Sequence, residues 1–167
     1  LTHACELFQP VIYADDTALY SSLEAFDRND LDSDEAINAE LSKINNWFKL
    51  NRLSLNSNKT KAMLFHTIQK RVRTPILMLE NNEIEFVNEF NYLGIILDSH
   101  LNWKSHTMHI AKKIAKTNGI MTRLKNILPQ NILLLLYNSL IMPHMNYGIL
   151  VWGTYLGTLS KVQKKVY

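Results

Sequence analysis

One cysteine, five glycines and four prolines in 167 residues rule out several classes of protein. Cys5 cannot close a disulfide within the chain or build a thiolate zinc site with partners of its own kind, so a disulfide-stapled scaffold is excluded and a reducing compartment is the default. So little glycine and proline excludes collagen-like and low-complexity sequence, and glycines this scattered cannot form a phosphate-cradling loop. No basic stretch leading into an apolar run opens the sequence, so nothing there reads as a secretory signal. Carboxylates are missing from one end only. All 15 lie between Glu6 and Asp98, whereas nine of the 18 basic residues lie between Lys104 and Lys165.

With 47% apolar and 20% charged residues, the composition is that of a packed globular protein. A chain of this length buries roughly 70% of its unfolded surface, as one domain or as two small ones. It starts at Leu1, its first methionine is Met63, and its last eight residues stop inside a basic amphipathic pattern with no cap, which reads as a piece of a longer protein. The cations beyond residue 100, with no carboxylate among them, point to a polyanionic partner; the alternative is a solvated lysine surface.

Residues 8–22 form two β-prone runs about Asp15-Asp16 and read as a hairpin with a tight acidic turn. A helix follows, because Asp32 and Glu35 have capping-box spacing and Ile37, Leu41, Ile44 and Phe48 recur at helical offsets. Asn56–Asn58 reads as a turn, Ala62–Thr67 as a strand, Ile76–Leu79 with Glu83–Val87 as a hairpin around Asn81-Asn82, and Phe90–Leu97 as one more strand. From Trp103 the period becomes helical. Ile110, Ile114, Thr117, Met121 and Leu124 share one face, with Lys112, Lys116 and Arg123 on the other. Pro129 starts a helix through Met142, Pro143 breaks it, Met145–Trp152 resumes it, and the last eight residues begin another. The expected class is α+β, an antiparallel sheet with one packed helix followed by an all-α region. Residues 132–152 carry no charge and are long enough to cross a membrane, but Asn138, Ser139, Pro143, His144 and Asn146 interrupt them, so a buried bundle helix is the better reading and no membrane is expected.

Two adjacent carboxylates at a hairpin tip repel one another unless a cation is shared, and Mg²⁺ favours such hard oxygen ligands. An exposed Asp-Asp turn, chosen because aspartate tolerates turn backbone, explains the same letters. His106 and His109, near His100 and Asp98, have a zinc-compatible i, i+3 spacing; without further ligands, surface histidines are the simpler account. Trp47, Trp103 and Trp152 read as core.

Val11-Ile12-Tyr13-Ala14-Asp15-Asp16-Thr17-Ala18-Leu19-Tyr20 resembles the Tyr-Ala-Asp-Asp hairpin of reverse transcriptases, in the form found in non-LTR (LINE-type) retrotransposons. Leu53 to Lys61 is similar to the Asn-x-x-Lys-Thr segment that follows, Phe90-Asn91-Tyr92-Leu93-Gly94-Ile95 to the primer-grip strand, and Asn138 to Gly153, with Tyr147-Gly148 and Trp152-Gly153, to the thumb region. The resemblance implies a partial polymerase palm over residues 1–100 and a thumb-like helical region over 101–167. It implies that Asp15 binds catalytic metal (Mg²⁺ or Mn²⁺), that Asp16 assists or holds the turn, and that Tyr13 and Ala14 lie against the template-primer. Lys59 would reach toward the triphosphate, and Tyr92, Leu93 and Gly94 would support the primer end. The partners implied are an RNA template, a DNA primer and dNTPs, in the nucleus or cytoplasm. The family's first catalytic aspartate and its fingers lie upstream of the hairpin, so the 167-residue chain is expected to hold half a metal site, to bind no metal tightly and to be inactive alone. An incomplete palm sheet is expected to self-associate. Two further readings are a noncatalytic nucleic-acid-binding module using Lys112, Lys116 and Arg123, and a protein-interaction remnant.

Overall fold

A computed structural model describes residues 5–22, 31–69 and 72–155. The expected helix over the last eight residues lies outside them. The elements in order are β1 (Gln9–Tyr13), β2 (Asp16–Tyr20), α1 (Leu31–Leu50), β3 (Met78–Leu79), β4 (Asn82–Glu83), β5 (Glu89–Tyr92), β6 (Ile95–Asp98), α2 (Lys104–Leu124), α3 (Gln130–Leu140), α4 (Met142–Asn146) and α5 (Ile149–Trp152). The class is α+β, with three separate two-stranded antiparallel hairpins. The chain divides into two compact units, one of Leu1–Leu64 with Lys70–Val87, the other of Phe65–Gln69 with Asn88–Tyr167.

The first unit is organised by α1. Ile37, Leu41, Ile44 and Phe48 fall on one stripe, as their spacing predicts, and all four are buried. Ile37 and Leu41 join Leu79 and Ile84 in one core cluster, against which Phe8, Leu19, Leu55, Ala62 and Leu77 pack. Polar side chains of the same helix then hold the return segment. Asp34 accepts from Arg73 at 2.8 Å and from the Ile76 amide at 3.3 Å, Asn38 accepts from the Met78 amide at 2.7 Å and donates to the Ile76 carbonyl at 2.9 Å, and Lys49 pairs with Glu80 at 2.7 Å. The helix ends in a Schellman pattern: the Leu53 amide reaches the Phe48 carbonyl and the Arg52 amide that of Lys49, with Arg52 at φ 59 where glycine is usual.

Three expectations need correction here. Each hairpin turn comes one residue early or where no turn was expected: Ala14-Asp15 rather than Asp15-Asp16, Glu80-Asn81 rather than Asn81-Asn82, and Leu93-Gly94 in the middle of what reads as a single strand over Phe90–Leu97. Ala14, Glu80 and Leu93 take positive φ, a conformation their side chains do not advertise, and Gly94 at φ 80 gives the last hairpin positive φ at both turn positions. The Ala62–Thr67 strand does not form. Ala62 makes a single parallel bridge to Phe86 and the His66 amide a separate bond to the Ser99 carbonyl, so no neighbour runs along the segment's whole length. The 132–152 segment is buried on one side only and is divided among α3, α4 and α5: Tyr137, Ile141, Met145 and Trp152 are buried, but Leu134 and Leu135 are more than half exposed and Leu150 is 99% exposed. Among the described residues no helix is long and apolar enough to cross a membrane.

The second unit packs the apolar face of α2 on the helices after it. Trp103, Ile110, Ile114, Tyr137, Ile141, Met145 and Trp152 form its core, against which Ile95 and Leu97 of β6 pack.

Candidate active-site hairpin and nucleic-acid interface

The register of β1 and β2 sets Tyr13 opposite Asp16, Val11 opposite Ala18 and Gln9 opposite Tyr20, so these six side chains share one face of the ribbon. That face is mostly open: Val11, Tyr13, Asp16 and Tyr20 are exposed, and the Tyr20 hydroxyl donates to Gln9 at 2.6 Å across it. On the other face Leu19, with Phe8 just before the ribbon, anchors the hairpin in the core. Asp15 occupies the turn itself. Both aspartates are exposed, and among the described residues neither side chain has a hydrogen bond or ion pair. Two carboxylates on consecutive residues, unpaired and held at the tip of an anchored ribbon, repel each other and leave their oxygens free for a cation.

The start of β1 is fixed by a residue that composition did not reveal. Glu40 on α1 is 3% exposed and accepts the backbone N–H groups of Glu6 and Leu7, with Lys43 3.6 Å away. Burial alone would raise its carboxyl pKa, but the Glu6 and Leu7 amides and the Lys43 ammonium outweigh it, and the net shift is downward.

Lys59 stands in the turn after α1. The Asn56 side chain accepts the Lys59 amide at 3.2 Å, and the Asn56 carbonyl accepts the Thr60 amide and hydroxyl. This Asx-type turn explains the Asn-x-x-Lys-Thr spacing locally and leaves Lys59 exposed. The hairpin, through Phe8 and Leu19, and this turn, through Leu55 and Ala62, thus rest on the same core. No hydrogen bond or ion pair joins Lys59 to Asp15 or Asp16 among the described residues. Two open hollows in this unit, one lined by Thr74, Pro75, Ile76 and Glu83 and the other by Asn45, Arg52 and Ser54, contain none of the predicted site residues.

Tyr92, Leu93 and Gly94 belong to the second unit, at the tip of the β5–β6 hairpin. Asp98 closes the base of that hairpin. Its carboxylate accepts the His100 and Asn102 amides at 3.1 Å each and the Trp103 amide at 2.9 Å, which folds residues 99–103 into the entry of α2 with Leu101 and Trp103 at positive φ. Asp98 is therefore a structural carboxylate. His106 is buried rather than at the surface: its Nδ1 accepts the Ile96 amide at 3.2 Å and its ring meets Trp152 edge-on. Burial first, then the charges of His109 and Lys113, push its pKa down, which favours the neutral ring. No group of three or more His, Cys, Asp or Glu able to hold a metal occurs among the described residues. Lys112, Lys116 and Arg123 lie on the exposed face of α2, opposite Ile110 and Ile114, with no ion pair among the described residues.

Sequence comparison gives the class of protein to which this α+β chain is similar: proteins encoded by retrotransposable elements. One, described as a probable RNA-directed DNA polymerase from transposon X-element of Drosophila melanogaster, is 24% identical over 132 residues, covering 74% of this chain and 14% of that protein. Another, the retrovirus-related Pol polyprotein from type-1 retrotransposable element R1 of Bradysia coprophila, is 26% identical over 109 residues, or 64% of this chain and 11% of that protein. The resemblance to non-LTR reverse transcriptases is borne out, and the chain corresponds to a small part of these relatives. No family model matches the chain, and no solved structure does.

Of the predicted residues, Tyr13, Ala14, Asp15, Asp16 and Lys59 lie in the first unit and Tyr92, Leu93, Gly94, Lys112, Lys116 and Arg123 in the second. Glu40 and Asn38 were missed: they accept backbone amides 34 and 40 residues away, and no local pattern marks them. Asp98, read from the sequence only as a neighbour of the histidines, instead holds amides two to five residues on.

Proposed function

We propose that the chain is the metal-hairpin-to-thumb segment of a retrotransposon reverse transcriptase, with a partial palm over residues 1–100 and a thumb-like region over 101–167. The observation that carries this reading is the pair of exposed carboxylates, Asp15 and Asp16, without a partner among the described residues, at the tip of a ribbon whose sequence resembles the Tyr-Ala-Asp-Asp hairpin. Two carboxylates fit one side of a two-metal site, and among the described residues no further acidic or histidine ligand joins them. Bound there, Mg²⁺ or Mn²⁺ supplies charge neutralisation for the oxygens that enter and leave phosphorus. Asp15 and Asp16 hold that charge in place. Tyr13, on the Asp16 face, and Ala14 in the turn lie against the template-primer. Lys59 offers an ammonium toward the triphosphate of an incoming dNTP, where it stabilises or protonates departing pyrophosphate. Tyr92, Leu93 and Gly94 support the end of a DNA primer, and Lys112, Lys116 and Arg123 face the backbone of the RNA–DNA hybrid.

The test is primer extension on an RNA template with Mg²⁺ and dNTPs by the longest open reading frame containing this chain. Asp15→Ala is expected to remove activity; retention within a few-fold would refute the metal role. The 167-residue polypeptide alone is expected to extend nothing, and Asp15-dependent extension by it would overturn the half-site reading. The exposed basic face of α2 favours a second reading, a noncatalytic nucleic-acid-binding module, which predicts hybrid binding by the chain with no effect of Asp15→Ala in any longer form.

A further inference from the structure

Tyr147-Gly148 and Trp152-Gly153 are distinctive in the sequence, and nothing assigned so far gives them a task. In the second unit Tyr147, Gly148 and Trp152 converge on the β5–β6 tip. The Tyr147 hydroxyl donates to the Leu93 carbonyl at 2.6 Å, across 54 residues, and a Cβ added to Gly94 would lie 3.6 Å from Tyr147 Cε1, so the ring lies alongside the turn. Tyr147 is itself fixed. Its carbonyl accepts Trp152 Nε1 at 2.8 Å, Trp152 is fully buried, and the Tyr147 amide bonds the Pro143 carbonyl at 3.0 Å. Gly148, at φ 65, brings the backbone so close to β6 that a Cβ there would meet Ile95 Cδ1 at 2.6 Å. His106, packed edge-on to Trp152, accepts the next amide of the strand, that of Ile96. Three points of the hairpin, Leu93, Ile95 and Ile96, are thus held by one cluster around Tyr147, Trp152 and His106, and among the described residues the hairpin's sheet has only two strands.

We propose that Tyr147 is a positioning residue for the Leu93-Gly94 tip: its hydroxyl fixes the turn peptide, and Trp152 and Gly148 hold Tyr147 at the required place. The tip of a two-stranded hairpin frays more readily than its packed strands, and a turn that must present backbone to a nucleic-acid strand end needs one orientation. The hydroxyl supplies it. This task accounts for the tyrosine being 55% exposed and yet hydrogen-bonded, since a residue serving only the core would be buried. The link to a primer end rests on the proposed function; the fixing of the tip does not.

The experiment has two readouts. Amide hydrogen exchange of the 167-residue chain tests the tip directly. Tyr147→Phe removes only the hydroxyl and is expected to speed exchange of the Ile95 amide and its hairpin neighbours about fivefold, the effect of one lost hydrogen bond. Amides of Ile110 and Ile114 in α2 should not change. Tyr147→Leu, which removes the ring as well, should exceed that effect. Unchanged tip exchange in both variants, or an equal rise throughout α2, overturns the proposal. Anisotropy with a 3′-recessed DNA primer on RNA against a blunt hybrid then tests the consequence: Tyr147→Phe should reduce the preference for the recessed end severalfold. If Gly94→Val abolishes that preference while Tyr147→Phe keeps it, Tyr147 does not position the tip. If the wild type shows no preference, the primer-end reading fails, and the exchange result alone decides the positioning role.

Discussion

Reversing the basic face of α2, by Lys112→Glu, Lys116→Glu and Arg123→Glu together, should change the salt dependence of nucleic-acid binding by an amount that the geometry sets. The three residues are exposed, point away from Ile110 and Ile114, and are separated by about 6 and 10 Å along the axis at helical rise. That spacing lets each cation meet a different phosphate. Each neutralised phosphate contributes about −0.7 to −0.9 to the slope of log K against log salt, so three give about −2 to −3. Between 50 and 200 mM salt, binding of an RNA–DNA hybrid should weaken about 20- to 40-fold in the wild type. The triple variant should bind more weakly at low salt, with the slope flattened by about 2, while helicity by circular dichroism stays the same because none of the three touches the core. Since lysines and arginines aimed at phosphates do not read bases, the loss should not depend on sequence. Fluorescence anisotropy at four salt concentrations is sufficient. Equal slopes and affinities for the two proteins would refute the reasoning and leave these residues as a solvated face.

Glu40→Gln should lower stability by about 1–2 kcal/mol at neutral pH in urea unfolding, because the Glu6 and Leu7 amides lose a charged acceptor. Glu40 has a folded pKa below its unfolded one, so its contribution is present above the unfolded value and lost as pH falls through the folded value; the variant should lack that part of the acid loss, and identical acid profiles would contradict the assignment. His106 is also depressed, so the unfolded chain takes up its proton first and the second unit should weaken as pH drops below an ordinary histidine value of about 6.5; a flat near-ultraviolet signal for tryptophan between pH 7.5 and 5.5 would count against this. Arg52→Gly should stabilise by about 0.5–1 kcal/mol, the left-handed strain relieved less the greater entropy of unfolded glycine, read as a raised urea midpoint; a lowered midpoint would show that the arginine side chain contributes more than its backbone costs. Leu134→Lys with Leu135→Lys should reduce self-association in sedimentation velocity with little loss of stability, and a marked fall in melting temperature would mean that these leucines are not free.

The helices were legible because their signal is local. Ile37, Leu41, Ile44 and Phe48, and Ile110 with Ile114, announce buried faces through spacing alone, and each is buried. The acidic hairpin was legible as a motif, but its turn was misplaced by one residue because the conformation at Ala14 is one that sequence statistics assign to glycine. The β5–β6 hairpin was hidden by the apolar run on both sides of Gly94. Pairing over long separations left no trace at all: Ala62 bonds Glu85 and Val87, and nothing in 62–67 says that the pairing stops there. The exposure of Leu134 and Leu135 was equally unreadable, since hydrophobicity says what a residue prefers and not what the chain has available to cover it.

The path of the chain between the two units limits how it can be taken apart. Residues 65–69 join the second unit before the first is complete, so the polypeptide passes between them three times, after Leu64, after Gln69 and after Val87. During synthesis the first unit cannot close until Val87 has emerged, by which time part of the second is already laid down. A deletion clone starting at Asn88 would look like a clean excision of the helical region. It would nevertheless discard His66, whose amide bonds the Ser99 carbonyl and whose carbonyl meets the His100 ring, and so expose the loop that Asp98 organises. Dissection of this protein calls for a graft that supplies residues 65–69, or for single substitutions in the whole chain.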